Sequence, residues 1–301
     1  MLDSRINTFL SVCRHMNYTK AATELHITQP TVTQHIQYLE QNYQVKLFDY
    51  TRHHLTLTEA GKQLRRMAMS MQYDVNMLKR YLARTDLWNC SLSFGATATI
   101  AEYGIVKSLS QFLNDHSGLN VQLKLADSKE LLQELDKGRI DFAMIEGGFD
   151  KDKYDGIPFF QDRLVACCGP EYGIKDEVEF ADLMGRRLLL CEKGAQSRQL
   201  LEQCFAERSL RLDEHFLVAE LGTPDLVKQV AISNKGIAFL YESVVREDIA
   251  AHRLREIKIR SLSCSDTFYF LWRVKSVYGN TFRSLCGQLC AGGNKSEQLT
   301  M

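Results

Sequence analysis

The stretch Thr28-Gln29-Pro30-Thr31-Val32-Thr33-Gln34-His35-Ile36 decides how this 301-residue chain is read. Thr28 is a good N-cap, because its side-chain oxygen can accept from a backbone N–H of the first turn. Pro30 falls in that turn, where a missing N–H costs nothing. A helix is expected to start here. Val32, Ile36 and Leu39 recur at helical spacing as an inward stripe, leaving Gln29, Thr31, Thr33, Gln34 and Gln37 largely on other faces. Those faces are polar, uncharged and rich in amides and hydroxyls. Just upstream, Thr19-Lys20-Ala21-Ala22-Thr23-Glu24-Leu25 reads as a short helix whose alanines permit close packing, and only His26-Ile27 separate the two. Two short helices and a tight turn make a helix-turn-helix.

A recognition helix enters the major groove by its N-terminal end, where amides read adenine edges and hydroxyls reach phosphates or bases. Gln29, Thr33 and Gln34 are the expected base readers, with Thr19, Pro30, Thr31 and Gln37 beside them. An ordinary helical hairpin of an enzyme has the same outline, so the flanking sequence matters. Lys46-Leu47-Phe48-Asp49-Tyr50-Thr51-Arg52-His53-His54-Leu55-Thr56-Leu57-Thr58 places β-branched and aromatic residues around a basic middle and reads as a wing hairpin.

Ala21-Ala22-Thr23-Glu24-Leu25, Gln29 to Thr33, Ile36 to Glu40, Leu47-Phe48 and Leu55 to Gly61 follow one another in an order that closely resembles the N-terminal domain of LysR-type transcriptional regulators. The chain departs from that pattern at Tyr43 and Gln44, where the family usually has Leu-Gly, and at Tyr50, where an Arg is usual. Arg52, His53 and His54 stand near enough to take over the phosphate contact, and Arg52 and His53 join the expected DNA-contacting set.

Composition sets the outer bounds. A chain that is 45% hydrophobic and 25% charged is long enough for two or three ordinary domains with full cores. Its formal net charge is zero, so affinity for nucleic acid must come from local charge; residues 1–66 hold eight Lys/Arg against five acids. Nine cysteines, without a C-x-x-C spacing, read as buried or free thiols of a reducing cytoplasm, and no metal site is expected. Met1-Leu2-Asp3-Ser4-Arg5 has no apolar signal segment and no apolar run reaches membrane-spanning length, so a cytoplasmic protein without membrane contact is expected.

Asp3 or Ser4 can cap a first helix with Ile6, Phe9, Leu10 and Cys13 on one face. Thr58 caps a much longer helix, Glu59 to about Ala83, with Leu64, Met67, Met71, Val75, Leu78 and Leu82 at spacings of three and four. One apolar seam on a long helix needs a partner, either a second subunit or the rest of the same chain. The resemblance implies the former: a linker helix that pairs two subunits, and a twofold dimer reading a near-palindromic operator in double-stranded DNA. A homotetramer is expected beyond the homodimer, because such regulators often pair again through their effector domains. Arg84-Thr85-Asp86 and Trp88-Asn89 mark a hinge.

From Ser91 short apolar runs alternate with helical stretches. Strands are expected at 92–95, 121–125, 142–145, 164–167, 188–190, 215–219, 237–240 and 268–272. Helices are expected at 99–114, 128–137, 197–207, 223–233 and 281–289, and residues from Gly292 read as a tail. Alternating strand and helix means a mostly parallel sheet covered on both faces. The expected architecture is an N-terminal all-α winged helix-turn-helix (1–58), a linker helix and hinge (59–88), and an α/β two-lobed effector domain of periplasmic-binding-protein type (89–301). Lobe 1 covers about 91–162 and 264–290 and lobe 2 about 163–263; the resemblance implies the return crossing between them.

In open α/β sheets ligands sit beyond the carboxyl ends of strands, where helix N-termini converge. Thr97, Ala98 and Thr99 follow the first strand, Ser128 the second and Glu146 the third, while Thr223 opens a helix of lobe 2. Each hydroxyl has a plain use as an N-cap. Together they suit a small anion, since backbone N–H groups and helix dipoles favour negative charge there. Glu146 is the one carboxylate expected in the cleft, bound to an ammonium group or solvated at the rim. Gly95 to Tyr103, Ile140 to Gly148 and Glu192 to Arg198 resemble LysR-type effector domains, nearest a subset tied to sulfur or small-anion metabolism, although Val106 replaces that subset's Pro. No nucleophile, base and orienting group come together, so neither catalysis nor a cofactor is expected. The expectation is a DNA-binding transcriptional regulator modulated by a small anionic metabolite; a solute-binding module without a gene-regulatory role is the alternative.

Overall fold

The computed structural model describes residues 3–51, 54–82, 91–260 and 262–290. The expected wing-tip contacts Arg52 and His53, the hinge at 84–89 and the tail from 292 lie outside them.

Three helices open the chain: α1 (Ser4–His15), α2 (Tyr18–Leu25) and α3 (Gln29–Tyr43). Each starts on the side chain of the preceding residue, since Asp3, Asn17 and Thr28 accept from first-turn N–H groups. Each ends on a residue in the left-handed region, Met16, His26 and Gln44, at φ 46°, 54° and 54°. Gln44 is the position where glycine would be free of strain. Phe9, Val12, Ala21, Val32, Ile36 and Leu39 form one buried core with Leu47. Glu24 ties α2 back to α1 by accepting from Ser11 and, at 2.8 Å, from Arg14.

Strands β1 (Phe48–Thr51) and β2 (His54–Leu57) pair antiparallel as the wing. Glu40 sets the turn into it, accepting from Leu47 N at 2.8 Å and Lys46 Nζ at 2.7 Å. Thr58 caps α4 (Glu59–Leu82) through Gly61 N at 2.9 Å. A Cβ at Gly61 would stand 2.1 Å from Leu47 O, so only glycine lets α4 approach the wing this closely.

Helix α4 has two working faces. Ser70, Tyr73 and Met77, spaced three and four apart, are buried against the C-terminal domain of their own chain. Ser70 Oγ donates to Val274 O at 2.7 Å and Tyr73 Oη to Asp141 O, while Asp74 accepts from Ser276 Oγ at 2.6 Å. The expected seam is a different stripe: Leu64, Met67 and Val75 are half-buried, and Met71 and Leu78 remain 48% and 46% exposed. The structure thus uses the helix within its own chain and still leaves apolar surface uncovered.

The remaining elements are β3 (Ser91–Ala96), a π-helical turn (Ile100–Gly104), α5 (Val106–Asp115), β4 (Asn120–Leu125), α6 (Ser128–Asp136), β5 (Phe142–Glu146), β6 (Tyr154–Cys168), β7 (Glu177–Val178), a 3-10 turn (Phe180–Leu183), β8 (Arg187–Cys191), α7 (Gln196–Ala206), α8 (Leu212–His215), β9 (Leu217–Leu221), α9 (Pro224–Ile232), β10 (Ile237–Tyr241), α10 (Glu242–Ala250), β11 (Arg255–Ile259), β12 (Ser265–Arg273) and α11 (Gly279–Cys290). The sheet runs β4-β3-β5-β12-β6-β10-β8-β9, with β11 on β6 and β7 on β11. The β3, β4 and β5 pairings are parallel, as are those of β8 with β9 and β10, while β6 and β12 run antiparallel to their neighbours.

Strand β6 explains the two lobes. Residues Tyr154 to Arg163 pair with β12, whereas Leu164 to Cys168 pair with β10 and β11. One strand therefore serves both halves, and β12 returns alongside it. Four expectations are corrected. The strand expected at 164–167 begins ten residues earlier, at Tyr154. The helix expected at 99–114 is broken at Ile105 into a π-turn and α5. Residues 212–215 are a short helix, so the strand expected at 215–219 starts at Leu217. Finally, Cys204 and Cys264, 60 residues apart, form a disulfide joining α7 to the segment before β12. Spacing could not show that pair, because the fold alone brings the two together.

Candidate effector cleft and DNA-contact surface

On α3, Gln29, Pro30, Gln34 and Gln37 are exposed and Thr31 and Thr33 half-exposed; Thr19 is exposed on α2. The first turn is internally braced. Gln29 Nε2 donates to Thr33 Oγ1 at 3.1 Å, Thr33 Oγ1 donates to Gln29 O at 3.2 Å, and the Thr28 and Thr31 hydroxyls are 2.8 Å apart. Gln29, Thr33 and Gln37 line a groove of about 440 Å³ between α3 and the wing, whose other wall is Phe48, Asp49, Tyr50 and Leu55. Tyr50 is 73% exposed where the resemblance calls for a cation.

The second site lies between the lobes. Thr97, Ala98, Thr99, Ser128, Glu146 and Thr223, from β3, α6, β5 and α9, line one cavity of about 220 Å³. From lobe 2, the β8–α7 connection adds Cys191, Glu192, Gly194, Gln196 and Ser197. Two of the expected hydroxyls have the plain or a peripheral place: Thr223 Oγ1 caps α9 by accepting from Leu226 N at 3.2 Å, and Ser128 follows Asp127, which caps α6. Thr97 differs. It is buried, and its Oγ1 makes no hydrogen bond of ordinary distance and angle. The N-cap of α7 is Ala195, which supplies no side-chain acceptor, and Ala195, Gln196 and Ser197 line the cavity, so the start of α7 is uncapped there.

The expectation for Glu146 is corrected. It is neither solvated at the rim nor alone: it is 3% exposed, and Glu102, Asp127 and Glu192 line the same cavity. Burial pushes its carboxyl up to about 7. The dipoles of the nearby Thr97 and Thr99 hydroxyls and a backbone N–H oppose that rise, while the Asp266 charge adds to it. Thr97 thus lies close enough to Glu146 to favour its charge without satisfying it. Asp266, on β12, is itself raised by burial, offset by donors from Gln196 Nε2 at 3.0 Å and Tyr241 Oη at 3.2 Å.

Contacts cross the cleft. Tyr103 Oη, in the π-turn of lobe 1, donates to Asp225 Oδ1 at 3.1 Å and accepts from Lys228 Nζ at 3.1 Å, both on α9. Lys228 also pairs with Asp248 at 3.3 Å. Gly147, at φ 78°, lies under Gln196, and a Cβ there would stand 2.4 Å from Nε2. Sequence reasoning missed Glu102, Tyr103, Tyr241 and Asp266, and read Gln196 only as part of a helix opening in lobe 2. For Glu102 and Tyr103 the signal was present, since they follow the first strand's loop; Tyr241 and Asp266 reach Glu146 only through tertiary packing.

Known proteins share this layout. Residues 4–62 match the family profile of the bacterial regulatory helix-turn-helix protein of the lysR family, and residues 86–290 match the LysR substrate binding domain. The HTH-type transcriptional regulator CysL of Bacillus subtilis (strain 168) is 26% identical over 261 residues, covering 86% of each chain. The RuBisCO operon transcriptional regulator of Allochromatium vinosum is 23% identical over 272 residues, covering 89% of each. Among solved structures, a full-length OxyR variant from Pseudomonas aeruginosa superposes with a TM-score of 0.61 at 16% identity, covering 100% of this chain and 98% of that one. Both halves are thus accounted for in one order, a helix-turn-helix followed by a substrate-binding domain, which sets aside a solute-binding module without a regulatory role: the chain belongs to the LysR family of transcriptional regulators, with a DNA-binding and an effector-binding domain.

Proposed function

We propose that this regulator is switched by a small metabolite whose anionic group is held between the lobes by Thr97, Thr99, Ser128 and Thr223 and by the backbone amides beside them, Ala98 included. The observation that carries the reading is the buried Thr97 hydroxyl, which makes no hydrogen bond of ordinary distance and angle, set at the cavity that the uncapped start of α7 lines. An orphan donor and open helix N–H groups are stabilised by an acceptor that arrives from outside. On the DNA side, Gln29, Thr33 and Gln34 read bases, while Thr19, Pro30, Thr31, Gln37, Arg52 and His53 position the domain. The apolar stripe through Met71, Val75 and Leu78 pairs two chains, effector domains pair the dimers into a tetramer, and a near-palindromic operator follows from the twofold axis. Such a protein works in the cytoplasm, where its DNA is.

Effector closure then acts by population linkage, since a ligand that prefers the closed cleft shifts the lobes and through them the paired DNA-binding domains. Thr99→Leu removes a hydroxyl and obstructs the cleft. It is expected to abolish the effector's influence on operator affinity while leaving unliganded operator binding within about twofold. Titration calorimetry with inorganic oxyanions and small carboxylates, on wild type and on variants at Thr97 and Thr99, checks this. Affinity indifferent to both positions would sink the assignment.

A further inference from the structure

We propose that the effector is a zwitterion, a small amino acid, whose ammonium group is received by Glu146 and whose carboxylate lies at the start of α7 and the Thr97 hydroxyl. This rests on the reading above that an anionic group is held at the helix N-termini, and it adds the second pole.

The charge inventory of the cavity leads there. Glu102, Asp127, Glu146 and Glu192 line it, and among the described residues its lining includes no Lys, Arg or His. Helix N-termini offer roughly half a positive charge each, and the cavity wall adds carboxylates but no side-chain cation to hold a bare oxyanion. An ammonium group beside Glu146 changes the sign of the sum on that side, and the uncapped α7 start serves the carboxylate on the other. Glu146 is the acid placed for this. It is buried at the end of β5, where burial without a cation favours its neutral form, and where a charge-assisted bond formed away from water is strong. The buried Thr97 hydroxyl beside it makes no hydrogen bond of ordinary distance and angle and lies against the Glu146 carboxyl, so the pair has room for a polar ligand that completes it.

A competing arrangement uses the same residue with the opposite proton. Protonated Glu146 would donate to an oxyanion, as a neutral acid. The two differ in the sign of pH dependence. The groups that bear most on Glu146 are Thr97 and Thr99 in lobe 1, Asp266 on β12, Tyr241 on β10 and Cys191 on β8, none of them cationic; the nearby cation is the buried Arg198 of α7, which acts on Cys191 and pairs with Glu202. Receiving an ammonium group requires the carboxylate, so binding releases a proton and tightens from about pH 6 to about pH 8. Donation to an oxyanion weakens over the same range.

The test uses the full-length protein and calorimetry against matched probes. Each small L-amino acid is compared with its deaminated carboxylate and its decarboxylated amine, for example L-alanine, propionate and ethylamine, with sulfate and phosphate alongside. At least one amino acid is expected to bind about tenfold or more tightly than both analogues. Glu146→Gln, its fold verified by circular dichroism and operator binding, is expected to collapse that affinity to the level of the carboxylate. Carboxylates, sulfate or phosphate binding as well as any amino acid, or tightening as pH falls, overturn the zwitterion and leave the anion reading standing. Binding by amines alone overturns both. A panel in which no amino acid binds overturns the proposal.

Discussion

The two candidate sites handle polarity in opposite ways. Along α3 the polar side chains stand in solvent and bond to one another, as Gln29 does to Thr33, so they are satisfied before any partner arrives. In the cleft the polar groups are buried and incomplete: Glu146 is held toward its neutral form and Thr97 Oγ1 lacks a partner. A preformed exposed surface gains by exchanging water and counterions for DNA. An incomplete buried one gains by acquiring the partner it lacks. The first is tuned through specificity, the second through stability.

The largest expected effect concerns what joins the two. Replacing Met71 and Leu78 together by Glu sets like charges against each other at a twofold interface and should abolish the dimer, a loss of association on the order of 3–5 kcal/mol. Sedimentation measures it, and an assembly of wild-type size would reject the seam.

Next comes Glu146→Gln, which sharpens the contrast in the cleft. A carboxyl at about 7 in the folded chain and near 4.5 when unfolded binds its proton more tightly in the native state. Its contribution is therefore fully present below the unfolded value and lost as pH rises through the folded one, a cost on the order of 3 kcal/mol above pH 7. The Gln variant escapes this loss. Melting temperatures of wild type should fall between about pH 5 and about pH 8 relative to the variant, and parallel curves would show that Glu146 is not held neutral.

Gln29→Ala and Gln34→Ala are expected to cost about 1–3 kcal/mol each at particular bases of the operator and to leave folding stability within about 0.5 kcal/mol. Selection from a randomised site reads the first and denaturation the second. Uniform loss across all bases would show that these amides position rather than read. The smallest effect tests the exposed region's own strain: Gln44→Gly relieves a left-handed residue at the end of α3 and should add about 1 kcal/mol to stability, measured by urea unfolding.

Legibility followed the same divide. The starts of helices α1 to α4 could be placed to within a residue or two because their signals are local: Asp3 or Ser4, Thr28 and Thr58 read as caps, and Val32, Ile36 and Leu39 mark one face. The first half of β6 was not legible. Asp155, Gly156 and Pro158 break the pattern of a strand, and the pairing with β12 carries a register shift between Phe268 and Tyr269, opposite Pro158 and Phe160. In the cleft, the loop hydroxyls were readable as residues after strands. Whether Thr223 caps a helix and Thr97 goes without a partner depends on packing, as does the depth of Glu146. The Cys204–Cys264 bond belongs to the same class, since its two sulfurs come from elements 60 residues apart.

The clasp of α4 carries one mechanical consequence. Every side-chain bond described above between α4 and the C-terminal domain ends in lobe 1, at Asp141, Val274 or Ser276. Lobe 1 and the reading head are thereby geared to a single shaft, and lobe 2 is held to that shaft only through lobe 1, by β6, β12 and the Tyr103 contacts with Asp225 and Lys228. A closing cleft in an isolated chain would turn lobe 2 in empty solvent without torque on its own α3. In the assembly proposed above, lobe 2 therefore acts on the operator through another subunit, and the response is a property of that assembly.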